Sequence, residues 1–166
     1  MKRILIVLFL MALMSCAGAA QERSDGNKGS AYVFVAPGAI VTSGEVAGVW
    51  HFGVGGEGLL YRGFGMGAEL GFLSPGVSLS DGIGLLSVNG LYEFKHANTG
   101  RKVIPFVTAG YSMAFRGGVG NALNFGGGIS YWFRKKQALR LEVRDYVHCL
   151  EPHVHLLTGR IGISFR

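Results

Sequence analysis

The chain has 166 residues, 28 of them glycine, and a formal net charge of +6. Only 16% of its residues are charged, against about 25% in an ordinary soluble domain. Its basic residues form no stripe with interleaved aromatic residues, so we expect no nucleic-acid partner, and the glycine content argues against long helices.

Residues 1–20 predict a secretory signal peptide. An apolar run follows Lys2 and Arg3 and ends in small residues. The run is too short to span a bilayer and is typical of a segment that is removed after Sec-type export. The stretch ending at Cys16 also resembles a lipobox, in which the cysteine would be lipidated, and this alternative stays open.

The remainder predicts a polar, flexible lead over 21–30 and one domain over 31–166. Eight stretches of this domain are rich in apolar residues, most of them at every second position, which is the period of a β-strand. The predicted strands span 31–36, 46–55, 60–72, 83–94, 103–115, 122–133, 139–148 and 155–166. We expect the first strand to end at Pro37, the segments 37–45, 73–82, 116–121 and 149–154 to be outer loops, and 56–59, 95–102 and 134–137 to be periplasmic connections.

The seventh strand shows why a membrane barrel is favoured. Leu139 and Leu141 alternate with Arg140, Glu142 and Arg144, so one face is apolar and the other carries both signs of charge. Most of these strands match the length of about nine to eleven residues that crosses a bilayer, whereas ordinary strands average about five or six. The polar faces are mostly glycine, serine and threonine, which suits a narrow lumen. The sequence therefore predicts an all-β, eight-stranded, antiparallel up-and-down transmembrane β-barrel.

The charged side chains of the polar faces are predicted to meet inside this barrel. They are Glu69, Glu93, Arg140, Glu142, Arg144 and Arg160. We interpret them as a salt-bridge network that neutralises buried charge. A ligand site or a gate built from the same residues is the alternative. Arg62 falls on the apolar face of the third predicted strand, which a barrel tolerates only near the membrane interface.

Residues with metal-binding chemistry gather around the last predicted loop. His148, Cys149, His153 and His155 carry imidazole and thiolate groups, which are ligands of zinc and copper. Pro152 and the alternation of the flanking strands would splay these side chains. We therefore expect a solvated outer loop and neither a metal site nor a cofactor.

The range 53–58 matches the pattern G-x-G-x-x-G of dinucleotide-binding folds. That pattern binds a pyrophosphate only where it leads from a strand into the N-terminus of a helix. Here another predicted strand follows, so we expect a glycine-rich strand and turn.

Several segments resemble the outer-membrane β-barrel domain family of Gram-negative bacteria. They are 32–38, 67–71, 105–111, 124–128 with Tyr131–Trp132, 140–145 and the ending 160–166. The resemblance implies a small eight-stranded barrel whose closing strand is read by the barrel-assembly machinery. The chain departs from the family pattern in that Arg166 follows the terminal aromatic Phe165. The resemblance implies no catalytic residues.

We therefore expect a monomeric outer-membrane protein with a structural, membrane-anchoring or small-ligand role and no catalysis. Its expected partners are outer-membrane lipid, lipopolysaccharide and the barrel-assembly machinery. One alternative is a lipid-modifying enzyme, which needs a rim serine such as Ser43 or Ser80 beside His148. The other is a soluble periplasmic lipocalin-like binding protein, in which the aromatic residues of the sixth and eighth strands would point inward.

Overall fold

The computed structural model describes residues 29–42, 45–75, 82–94, 102–115, 120–148 and 154–166. Its strands are β1 (Gly29–Thr42), β2 (Glu45–Tyr61), β3 (Phe64–Ser74), β4 (Ile83–Glu93), β5 (Val103–Phe115), β6 (Gly120–Arg134), β7 (Gln137–His148) and β8 (His155–Phe165). Each strand pairs antiparallel with the next, and β8 pairs with β1 to close the barrel. The predicted eight-stranded antiparallel barrel is confirmed. No helix long and apolar enough to cross a membrane occurs among these residues.

The two ends of the barrel differ in their connections. At one end, two-residue turns at Arg62–Gly63 and Lys135–Lys136 join neighbouring strands, and β1 starts and β8 finishes there. We call this the turn end. The opposite end, where β1, β3, β5 and β7 finish, is called the loop end. β1 begins at Gly29, two residues inside the predicted lead.

The predicted end of the first strand at Pro37, with an outer loop over 37–45, is wrong. β1 continues through Pro37 to Thr42 and pairs with β2 along its whole length. On its other side, the ladder between β1 and β8 runs to Val35 and resumes at Gly38. Pro37, which has no N–H, lies in this gap and points out of the barrel. A strand accommodates proline where no ladder bond is required of it.

The predicted turn over 56–59 is also wrong. β2 runs on to Tyr61, and the chain reverses at Arg62 and Gly63, whose φ angles are 46° and 93°. Positive φ at both central residues matches the twist of a tight hairpin. Arg62 therefore lies in a turn and not on the apolar face of a strand, and the G-x-G-x-x-G range lies within β2. Glu57, which was predicted in the turn, becomes a strand residue facing the interior.

The outer face of the barrel is apolar. Its exposed side chains include Val88 and Val143 at mid-strand. Aromatic side chains gather on this face near the turn end: Tyr61, Phe64, Phe94, Tyr131, Phe133 and Phe165. Among the described strand residues, the charged side chains exposed on this face lie toward the strand ends. This distribution is that of a surface adapted to lipid with aromatic residues at an interface.

The interior of the barrel has two parts of different chemistry. Toward the loop end, Val49, Leu85, Tyr146 and Leu156 form a buried apolar cluster. Partly buried apolar residues from β1, β3, β5 and β6 pack against this cluster. Below it, toward the turn end, the interior is occupied by carboxylates and guanidinium groups. This ionic part is the candidate site.

Candidate functional site

The ionic part of the interior is built by strand alternation. β7 places Arg140, Glu142 and Arg144 on one face at every second position, and β8 adds Arg160, which lies opposite Glu142 in the register. β3 supplies Glu69 from across the barrel, and each of these five side chains is buried. They are five of the six residues that the sequence analysis assigned to the lumen.

Glu142 lies at the centre of the network. Its Oε1 accepts hydrogen bonds from Nε of Arg144 at 2.6 Å and from Nη1 of Arg160 at 3.3 Å. Its Oε2 accepts from Nε of Arg140 at 3.2 Å. One carboxylate thus holds three guanidinium groups from two strands.

Glu69 forms the second node. Its Oε2 is 2.6 Å from Nη2 of Arg160 and 3.4 Å from Nη1 of Arg144. The same oxygen accepts a hydrogen bond from the Tyr32 hydroxyl at 3.0 Å. Since Tyr32 lies on β1 and Arg160 on β8, these contacts join the first and last strands to β3.

Glu57 is the third carboxylate, and the sequence analysis missed it. Nη1 of Arg140 lies 2.8 Å from each of its two oxygens, and the Ser30 hydroxyl donates to Oε1 at 3.1 Å. The contact forms because β2 continues to Tyr61 and therefore carries Glu57 as a strand residue. Counting every second residue from His51 and Gly53 places Glu57 on the interior face. The sequence analysis assigned Glu57 to a turn because glycines lie on both sides of it.

Among the described residues, the network carries equal numbers of positive and negative groups. Three carboxylates, Glu57, Glu69 and Glu142, face three guanidinium groups, Arg140, Arg144 and Arg160. Burial of an unpaired charge costs several kcal/mol or more, whereas a matched set with hydrogen bonds limits that penalty. Aromatic rings cover two of the cations, since the Arg160 guanidinium lies 3.6 Å from the Phe34 ring centroid and that of Arg140 lies 4.0 Å from the Phe106 ring centroid.

Glu93, the sixth predicted lumen residue, is buried as well. It is near the turn end, where its Oε1 is 3.8 Å from Nη2 of Arg166. The Arg166 guanidinium also lies 4.3 Å from the Trp132 ring centroid. The structure therefore places Glu93 beside Arg166 at the turn end.

Glycines let the side chains fill the interior. A Cβ atom added at Gly55 would collide with the ring of Tyr32, and one added at Gly71 would collide with the imidazole of His51. At Gly126 an added Cβ would lie 3.1 Å from Oε1 of Glu142. The space beside these glycines, inside the barrel, is therefore occupied by packed side chains.

Two features mark the border between the ionic and apolar parts. His51 is fully buried, and its ring lies 4.9 Å from that of Phe34 and 5.8 Å from that of Tyr146, measured between centroids. Neither of its ring nitrogens has a hydrogen-bond partner among the described residues. Ser112, which is also fully buried, bonds to Ser87 at 2.8 Å and accepts from Asn124 at 2.9 Å.

The weak metal candidates separate in the structure. His148 ends β7 on the interior side by strand alternation, whereas His155 points outward and its Nδ1 lies 3.0 Å from Oδ2 of Asp145. Cys149 and His153 lie outside the described residues. Within the described part of the chain, no group of three or more metal-binding side chains comes together.

The residues named for the two alternative functions have different outcomes. Ser43 and Ser80, the serines considered for a lipid-modifying enzyme, lie outside the described residues. The lipocalin-like alternative needs inward-pointing aromatic residues on the sixth and eighth strands. Phe125 on β6 and Phe165 on β8 are exposed on the outer face instead.

Comparison with known proteins shows the fold of the chain. No family model and no curated protein matches the chain. Among solved structures, Neisserial surface protein A is 12% identical, with a TM-score of 0.67 over 82% of this chain and 96% of that one. The attachment invasion locus protein of Yersinia pestis is 12% identical, with a TM-score of 0.61 over 83% and 97%. A de novo designed transmembrane β-barrel is 17% identical, with a TM-score of 0.57 over 85% and 98%. The chain has the fold of the small eight-stranded outer-membrane β-barrels.

Proposed function

We propose that the protein is an outer-membrane barrel with a structural or anchoring role, that its interior is a closed plug, and that it performs no catalysis. The single observation that carries this proposal is the neutral network of three carboxylates and three guanidinium groups inside an apolar cylinder. Such an arrangement joins the strands and fills part of the lumen with paired side chains, which supports a closed interior.

The outer face supports a position in lipid. Val88 lies at the middle of β4 with 52% of its surface exposed, and its partners on the neighbouring strands, Ala68 and Tyr111, are exposed too. A soluble barrel would cover this area with charged side chains. Because the charged groups of the strands are inside or near the ends, lipid is the solvent that fits this face.

The contacts inside the barrel support a role without transport or chemistry. The hydroxyl groups of Tyr32 and Ser30 donate to carboxylates of the network, and the Thr158 hydroxyl donates to the backbone oxygen of Arg144 at 3.1 Å. These hydroxyls are engaged in structural contacts and do not stand beside a free base. The carboxylates are likewise held by guanidinium groups.

A pair of arginine substitutions tests the membrane position. Val88→Arg places a charge at mid-strand, whereas Val46→Arg places it at the loop end, where Val46 is 71% exposed. In lipid, we expect Val88→Arg to lower the free energy of unfolding by about 2–4 kcal/mol and Val46→Arg by about 1 kcal/mol or less. Unfolding by guanidinium chloride in phospholipid vesicles, followed by heat-dependent gel mobility, measures both. Equal and small effects would show that the outer face meets water.

Conductance across a planar bilayer tests the plug. We expect the folded protein to insert without producing discrete current steps. Recording the same preparation after reconstitution, with insertion verified by protease protection, excludes a trivial absence of protein. Reproducible steps from the unmodified chain would refute a closed interior.

A further inference from the structure

The turn end carries a basic patch that the barrel's plug does not use. The patch consists of Lys102, Arg134, Lys135 and Lys136, and all four side chains are exposed. None of them forms an ion pair with a carboxylate of the described residues. Their positive charges are therefore available to a ligand at the surface of the barrel.

Backbone contacts bring these residues together from neighbouring strands. The Trp132 N–H donates to the Lys102 carbonyl oxygen at 2.7 Å, which places Lys102 beside the end of β6. Lys135 and Lys136 form the turn from β6 to β7, and the Arg166 N–H donates to the Lys136 carbonyl oxygen at 2.9 Å. The patch thus spans the ends of β5 through β7 and borders the end of β8.

The apolar outer face reaches this patch directly. Tyr131 and Phe133 are exposed on β6, one to three residues before Arg134, and Phe165 is exposed as the last residue of β8. Lysine and arginine can extend an aliphatic stem along such a surface and hold the charged group at the headgroup level. An aromatic belt followed by cations matches the order of groups that a bilayer presents on passing from its hydrocarbon core to its headgroups.

The loop end has the opposite character. Among its described residues it exposes the carboxylate of Glu45 and no lysine or arginine, and the partly exposed Asp145 pairs with His155. Among the described residues, a ligand that prefers cations is therefore favoured at the turn end. This asymmetry selects the leaflet that surrounds the turn end.

From these observations, and resting on the proposed membrane position, we propose that the basic patch binds the headgroup phosphate of an anionic glycerophospholipid in that leaflet. Lipid is favoured over an acidic protein because the patch is continuous with the exposed aromatic belt. Each lysine or arginine close to an anionic membrane surface contributes about fivefold in affinity. The patch would then fix the depth of the barrel at the turn end.

The test uses native mass spectrometry of the refolded barrel in detergent, titrated with dioleoylphosphatidylglycerol or dioleoylphosphatidylcholine. We expect the first phosphatidylglycerol to bind at least about 25-fold more tightly than phosphatidylcholine, which is the combined contribution of two lysines at about fivefold each. Lys135→Gln with Lys136→Gln should weaken phosphatidylglycerol binding by about fivefold for each lysine and leave phosphatidylcholine binding unchanged. Lys135→Arg with Lys136→Arg should retain it.

A control with the same loss of net charge at the other end is Val46→Glu with Ala47→Glu, both at exposed positions. We expect this variant to bind phosphatidylglycerol as the unmodified barrel does. Equal weakening in both double variants would show a general charge effect, and equal affinity for the two lipids would refute lipid recognition and favour an acidic protein.

Each sample is first checked for heat-dependent gel mobility. A barrel that inserts normally without lipid preference refutes this proposal alone, whereas failure to insert refutes the proposed function.

Discussion

The two parts of the barrel interior obtain their stability from different interactions. Near the loop end, Val49, Leu85 and Leu156 fill the space by apolar packing. Near the middle and turn end, Glu142 and Arg144 belong to a network in which each charge depends on the others. Loss of one apolar side chain leaves a cavity, whereas loss of one charge leaves its partners unpaired in the interior.

The comparison shows that burial alone does not predict how a position responds to substitution. Large apolar side chains cover the outside of the barrel, so in this fold the largest fully buried side chains are polar. The largest fully buried side chains include Arg144, His51 and Glu69. The following substitutions test the difference between the two parts.

The largest effect is expected from Glu142→Gln. The substitution keeps the shape but removes the charge that holds Arg140, Arg144 and Arg160, so we expect a loss of about 3–5 kcal/mol in the free energy of unfolding. Guanidinium chloride titration of the folded barrel, followed by tryptophan fluorescence, measures it. Asp145→Asn is the control, since its pair with His155 is exposed and should contribute about 1 kcal/mol or less. Similar values for the two variants would contradict a cooperative network.

An intermediate effect is expected from Leu85→Ala in the apolar part. Leu85 is buried in the cluster, so its truncation should cost about 2–4 kcal/mol through lost contacts and a cavity. The adjacent Leu86 points outward and provides the matched control. Leu86→Ala should cost about 1 kcal/mol or less, because lipid replaces the lost contacts. The same titration compares them, and equal losses would contradict the assignment of inner and outer faces.

The smallest effect is expected from Gly55→Ala. The added methyl group would collide with the Tyr32 ring, which must move from Glu69, and we expect a loss of about 1–3 kcal/mol. Gly56→Ala is the control, because its Cβ would approach only the Ser30 carbonyl oxygen at 3.9 Å. A shift in denaturant midpoint for the first variant alone is the expected result. Equal midpoints would show that the interior has room to adjust.

Most of the fold could be predicted from the sequence because alternation is a local property. The alternation of Leu139 and Leu141 with Arg140 and Glu142 fixes a strand and its two faces without any knowledge of neighbours. Chain reversal at Arg62 could not be predicted in this way, since arginine and glycine form a weaker turn signature than the glycine-rich segment before them. The strand bounds at this hairpin were wrong for that reason.

The candidate site was predictable as a set of residues and not as a set of contacts. Alternation places Glu69 and Arg160 inside, but their contact depends on the register of strands that are distant in sequence. Arg140 and Glu57 are 83 positions apart, and their pairing requires β2 to continue beyond the glycines. Such pairings depend on which strands come close together when the barrel closes. A local sequence pattern carries no information about this.

The barrel closes only when β8, the last strand, pairs with β1. Ala31 is opposite Phe165 in that ladder, so until β8 is in place the edge of β1 has backbone groups that hydrocarbon cannot satisfy. The same strand brings Arg160, the third cation that matches Glu57, Glu69 and Glu142. Without it the network has three carboxylates and two guanidinium groups. Closure of the backbone and cancellation of the interior charge are therefore a single event in the assembly of this barrel, and a chain that stops before β8 achieves neither.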